Sequence, residues 1–165
     1  MITEGGDATR LAVPMDTIVP VPTIVTATTI IIPAAPELVW DLVVDPQRMG
    51  DVDSRVSLVS MSGPPGTPGS SYVLDLQVSA AGRTRVTYEV IDGGRPTHIT
   101  IASHSGQRHL GEQRGTFHAV DAGCRMDWQV SAPSPLLLFP LARRLMKRRL
   151  QTWAVAVSAQ AQRGS

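Results

Sequence analysis

Polar and apolar residues alternate with a period of two along much of the chain. Tyr72, Leu74, Leu76 and Val78 share one side of such a stretch, with Val73, Asp75, Gln77 and Ser79 on the other. Val86, Tyr88 and Val90 alternate with Arg85, Thr87 and Glu89, and Cys124, Met126, Trp128 and Val130 with Arg125, Asp127, Gln129 and Ser131. One buried and one wet face per strand is the antiparallel pattern. The separators GPPGTPG (63–69), AAGR (80–83), GGRP (93–96) and DAG (121–123) carry turn chemistry. Links this short predict a meander of hairpins. An earlier run, TIVTATTIII from Thr23 to Ile32, is β-branched and free of glycine, and reads as a further strand.

The period changes in two places. Pro36, Val39, Trp40 and Val43 fall at i, i+3, i+4 and i+7, one buried face of a helix. Proline suits its first turn, and Asp45-Pro46 ends it, because the residue before proline is driven out of helical geometry. A helix of about two to three turns is not stable alone and must dock on something larger. One further short helical turn fits after it. From Leu136 to about Gln162 the pattern is helical again. Met146, Leu150, Trp153 and Val157 form an apolar stripe, with Leu141, Ala142 and Leu145 read as extending it. Pro140 either kinks this helix or marks where its long part begins.

Strand, short helix, about six antiparallel strands and one long terminal helix make an α+β domain spanning 23–162. Residues 1–22, without periodicity, are expected to be a loose arm. A curved sheet of this length has a concavity that one helix cannot fill, so a cavity between helix and sheet is expected, the usual form of a small-molecule site.

Composition sharpens this in three respects. Aromatics make up 4% of 165 residues, so aliphatic side chains must supply most of the core. The lone Cys124 excludes an internal disulfide framework and fits a reducing cytoplasm. No run approaches the roughly 20 apolar residues of a membrane helix, and no secretory signal layout is present. Net charge is +1, which argues against nucleic acid as a partner, but the distribution is uneven. Arg143, Arg144, Lys147, Arg148, Arg149 and Arg163 follow Ser134 with no acidic residue among them. The remainder carries nine basic groups against fourteen acidic.

The run IPAAPELVWDLVVDPQRM, the later GTFHAVDAGCRMDWQV and the long terminal helix together resemble the START-like (SRPBCC) superfamily. This is the helix-grip fold shared with Bet v 1-like proteins, and the similarity covers roughly residues 23–160. The nearest flavour is the bacterial polyketide cyclase/dehydrase and lipid-transport group. The resemblance implies a curved antiparallel sheet of six to seven strands wrapped around the C-terminal helix, with short helices after the first strand. Many members place a tryptophan shortly after the Asp-Pro. The matching position here is Val52, which removes a large side chain from the cavity rim.

The expected cavity residues are the inward positions Tyr72, Leu74, Leu76, Val86, Tyr88, Val90, Ile99, Ile101, Phe117, Met126 and Trp128. Met146, Arg149, Leu150 and Trp153 join them from the helix. On a helical wheel Arg149 falls within the apolar arc alongside Ala142 and Trp153. It either binds a ligand carboxylate or enolate through its planar guanidinium, or snorkels out or pairs with Glu89 or Glu112. The segment QRHLGEQRGTFH (107–118) carries polar groups on both faces. Either some of these line the cavity or the strand is wetted on both sides. Arg149, Tyr88, Glu112 and His118 are the candidates for proton transfer or ligand orientation.

His98 and His104 lie six residues apart on one strand, roughly 20 Å at strand rise, too far to share a metal. No metal or cofactor is expected, and Trp40 reads as packing. The basic residues Arg143, Arg144, Lys147 and Arg148 read either as a solvated helix face or as a weak peripheral contact with anionic membrane.

Three functions remain open: binding or transport of a lipid-like or polycyclic molecule, a polyketide cyclase/aromatase-type enzyme, or a protein-interaction module. An enzyme should converge at least two polar groups in the pocket, one with a shifted pKa. A carrier needs a mostly apolar pocket, and an interaction module an exposed apolar patch.

Overall fold

The computed structural model describes residues 22–79, 82–134 and 139–164, with the side chains of Val78 and Ser79 excepted. The expected arm therefore lies outside the described residues apart from Pro22, as do residues 80 and 81 of the AAGR turn and the expected helix start at Leu136.

The elements run β1 (Thr23–Ile32), α1 (Pro36–Val44), α2 (Met49–Val52), β2 (Val56–Ser62), β3 (Ser71–Ser79), β4 (Gly82–Gly94), β5 (His98–Ser105), β6 (Arg108–Val120), β7 (Gly123–Pro133) and α3 (Phe139–Arg163). The strands form one antiparallel sheet in the order β1-β7-β6-β5-β4-β3-β2. The long helix α3 crosses β1 and touches α1 and α2. This is the helix-grip arrangement.

Parity places the core. Ile24 and Ile32 of β1, Tyr72 and Leu74 of β3, Val86 and Val90 of β4, Ile99 and Ile101 of β5 are buried on one face of the sheet, with Cys124, Met126 and Trp128 of β7. From α3, Leu150, Ala154, Val157 and Ala161 press onto them. Rings link helix and sheet across this core. Trp40 meets Phe117 edge-on at 5.4 Å, Phe117 meets Trp128 at 6.3 Å, and Trp128 meets Trp153 at 5.1 Å.

Trp40 is 2% exposed and lies under the loop at Gly66. A Cβ at Gly66 would sit 2.8 Å from the indole, and φ there is +70°, so the loop closes over Trp40 only with glycine. The short helix is scaffold, as its spacing predicted.

One expectation needs correction. Leu141 and Leu145 do not extend the buried stripe: they are 59% and 55% exposed. At 3.6 residues per turn they stand about 160° and 120° round the helix from the buried Val157. Pro140 occupies the first turn of α3, where its missing N–H costs nothing.

The strand with polar groups on both sides is β6, and its inward face is Gly111, Gln113, Gly115 and Phe117. At Gly115 it carries no side chain because its neighbour fills the space. Gly115 pairs with Trp128, and a Cβ there would collide with the indole ring. Trp128 therefore lies against bare β6 backbone.

Candidate functional site

Where α1, α2 and the β2–β3–β4 end of the sheet face α3, side chains leave a cavity of about 140 Å³. Its walls are mostly apolar: Leu42 and Val43 from α1, Met49 and Val52 from α2, Val56 from β2, Leu74 and Leu76 from β3, Ile101 from β5, with Trp128 and Trp153. Four polar side chains interrupt them: Tyr72, Tyr88, Gln113 and Asp53.

The tyrosines are cross-strand partners on β3 and β4. Their rings stack at 5.3 Å with planes 13° apart. Both lie deep, so desolvation of the phenolate raises each pKa. The proximity of Tyr88 raises Tyr72 further, while the positive field of Arg149 pulls Tyr88 partly back. Neither hydroxyl has a hydrogen-bond partner among the described residues. Neither is sealed in protein as Thr26 Oγ1 is; they border the cavity.

Asp53 follows α2 and is held by its neighbour. Arg55 donates from Nε to Oδ1 at 2.9 Å and from Nη2 to Oδ2 at 2.7 Å, and its backbone N–H donates to Oδ1 at 3.0 Å. These bonds keep the carboxyl below the ordinary aspartate range despite partial burial, with Arg149 contributing from α3. Arg149 is exposed, one helical turn before Trp153, and its charge reaches both Asp53 and Tyr88. The rim thus opposes one fixed anion to one cation that solvent can reach.

Of the residues expected to line a cavity, Tyr72, Leu74, Leu76, Tyr88, Ile101, Trp128 and Trp153 do so. Val86, Val90, Ile99, Phe117, Met126 and Leu150 are buried in the packing around it, and Met146 is half-buried. Arg149 is exposed and is not among the lining residues; its charge acts on Asp53 and Tyr88.

Glu112 and His118 are corrected. They lie on the outer side of β6, opposite Gln113 and Phe117, with Glu112 accepting from Arg114 at 3.2 Å and His118 exposed. His98 contacts Asp92 at 3.3 Å on the outside of the sheet, and His104 meets His109 ring to ring at 5.2 Å. Among the described residues no cluster of three or more His, Cys, Asp or Glu side chains could hold a metal.

Leu42, Val43, Met49, Asp53, Val56 and Gln113 line the cavity without having been expected to. Gln113 shares parity with Phe117, an apolar residue on that strand, so its inward position was legible. Asp53 and Val56 lie at the junction of α2 and β2, where no period guides the eye. Val52, the position where a tryptophan was expected from the resemblance, does line the cavity.

The profile described as polyketide cyclase / dehydrase and lipid transport matches residues 23–160. No curated protein matches in sequence. Among solved structures, protein NE0264 from Nitrosomonas europaea is similar at TM-score 0.65 with 9% identity, over 86% of this chain and 96% of that one. Ara h 8.0201 is similar at TM-score 0.65 and 14% identity, over 86% and 99%. DynU16, from the dynemicin biosynthetic locus, is similar at TM-score 0.63 and 14% identity, over 87% of this chain and 49% of that one. Identities this low establish the shared fold alone. Among the described residues, no helix is long and apolar enough to cross a membrane.

Proposed function

The chain belongs to the polyketide cyclase / dehydrase and lipid-transport family, and from that premise we propose that its cavity binds a compact hydrophobic molecule carrying one acidic oxygen. The observation behind this reading is the Tyr72–Tyr88 pair, whose two unpartnered hydroxyls border a mostly apolar space that Gln113 and Asp53 also line, with the charge of Arg149 acting on Tyr88. Buried polar groups are normally satisfied; a ligand oxygen would satisfy these. Arg149 supplies the complementary charge for a carboxylate or enolate.

Size sets the class. The cavity, about 140 Å³, is below the roughly 300–1,000 Å³ of usual ligand pockets. It is close to the ~150 Å³ of an engineered cavity that takes up benzene. A single ring or short branched chain fits directly. A lipid-like or polycyclic ligand requires α2 and Trp153 to withdraw.

Four polar groups converge here, which meets the numerical condition for an enzyme. The direction of their shifts argues the other way. A general acid or base works best with a pKa near the operating pH. Burial moves both phenols upward, away from neutrality, and Arg55 moves Asp53 downward. Binding is therefore favoured over proton-transfer catalysis.

The test is calorimetric titration of cinnamate and its methyl ester against the wild type and Arg149→Met. The wild type should prefer the acid. Arg149→Met should fold normally and lose about three- to tenfold in cinnamate affinity, the worth of one partly exposed charged contact, with the ester unaffected. Equal affinity of both proteins for cinnamate rejects the role of Arg149. Failure of the wild type to bind either probe rejects the ring-sized site.

A further inference from the structure

The leading half of α3 has an outward face that core packing does not explain. Leu141 and Leu145, one turn apart, are 59% and 55% exposed, and Val155 further along the same side is 64% exposed. An ordinary solvated helix face would carry polar residues there. Arg144, Arg148 and Arg149 flank the leucines within about 100° round the helix, Arg143 and Lys147 stand about 120–160° away, and all five are exposed. No acidic residue occurs from Ser134 to the end of the chain, and none of these five cations is in an ion pair closer than 4 Å among the described residues.

We infer that this face of α3 docks on an anionic lipid surface, with Leu141 and Leu145 entering the headgroup boundary and the flanking Arg144, Arg148 and Arg149 meeting lipid phosphates. Exposed apolar groups rimmed by cations on one helix are what an interfacial helix requires. Each Lys or Arg adds attraction to an anionic leaflet that falls off within a Debye length. Leucines at the centre of the patch disfavour a nucleic-acid partner, whose phosphates reward charge but not apolar area. The orientation has a consequence for the cavity. Arg149 and Trp153 lie on the flank of the same helix, so docking brings the cavity rim near the bilayer. The inference stands on exposure and charge alone and does not depend on what the cavity binds.

Vesicle co-sedimentation of the full chain tests it, using phosphatidylcholine alone and phosphatidylcholine mixed with phosphatidylglycerol, at low and high salt. Both variants alter only exposed side chains, so unchanged circular dichroism should accompany them. Binding is expected to the mixed vesicles and not the neutral ones, and to weaken in high salt. Arg144→Gln with Arg148→Gln should weaken it about thirtyfold, at about 1 kcal/mol per cation. Leu141→Gln with Leu145→Gln should weaken it about tenfold.

Three results would overturn the inference. One is no binding to the mixed vesicles at low salt. Another is binding indifferent to the leucine pair, which would leave a merely solvated basic face. The third is a concentration-dependent dimer in sedimentation velocity that the leucine variant abolishes, which would make a second copy the occupant.

Discussion

Replacing Tyr72 by phenylalanine should stabilise the protein and weaken ligand binding together. Tyr72 is 3% exposed, its ring stacks on Tyr88, and its hydroxyl has no hydrogen-bond partner among the described residues. A hydroxyl removed from water without a partner costs about 1–3 kcal/mol. Water entering the cavity would offset part of this, since the space of about 140 Å³ far exceeds the ~10–15 Å³ that one water needs. The substitution removes one oxygen and leaves the ring packing intact, so we expect a gain of about 0.5–1.5 kcal/mol. For a domain of this length that raises Tm by about 1–6 °C. Differential scanning calorimetry measures it, with urea unfolding at an unchanged m-value as the control. Binding of an acidic ring-sized ligand should fall about two- to tenfold, the worth of one hydrogen bond. A destabilised Tyr72→Phe would refute the reasoning, because it would mean that the hydroxyl serves the fold. A stabilised variant with unchanged affinity would remove Tyr72 from the ligand's contacts.

Gly115→Ala should destabilise, because its methyl group collides with the Trp128 indole and lies 3.2 Å from Ile99 Cγ2. Overpacking of about 1–3 kcal/mol exceeds the ~0.5–1 kcal/mol gained from a stiffer unfolded chain; a raised Tm or an unchanged near-UV tryptophan signal would contradict this. Cys124 is fully buried and its thiol is pushed up by burial, so it should react with an aromatic disulfide reagent only as the protein unfolds. Rapid labelling of the native protein would show the site to be open. The carboxyls of Asp53, Asp75 and Asp127 are held below their usual range, first by Arg55, Arg85 and Thr29 respectively. A depressed folded pKa gives stability that is present above the unfolded value of about 3.9 and is lost as pH falls through the folded value. The urea midpoint should therefore be level near neutrality and fall below about pH 4, less steeply in Asp127→Asn; an equally steep fall in that variant would remove Asp127 from the account.

Much of this architecture could be read from period alone, and where it could not the reasons are physical. β3, β4 and β7 alternate cleanly because each has one face in the core and one in water. The wheel positions of Val39, Trp40 and Val43 placed α1 because a short helix survives only by docking its apolar side. β6 resisted because Gly111 and Gly115 contribute no side chain to the inward face. The apolar volume over that strand belongs to Trp128 of β7, and only register reveals this. Glu112 and His118 looked chemical because they are polar on an unusual strand, yet they lie on its wet side. Arg149 stands out on the helical wheel because it falls beside Ala142 and Trp153, yet the residue is exposed. Leu141 and Leu145 were drawn into the core by composition, although their angle from Leu150 and Val157 already opposed it. Asp53 was illegible because its position depends on a turn between two short elements.

The central claim is that the space between the sheet and α3 is a ligand site. Indole N–H signals in a proton–nitrogen NMR titration with cinnamate test it most directly, because the three tryptophans divide by position. Trp128 and Trp153 line the cavity, whereas Trp40 is packed beneath the Gly66 loop. Saturable shifts of two indole signals, with the third unmoved, are the predicted result. Three silent indoles, or shifts confined to the outer side of the sheet around Thr29 and Gln129, would contradict the account.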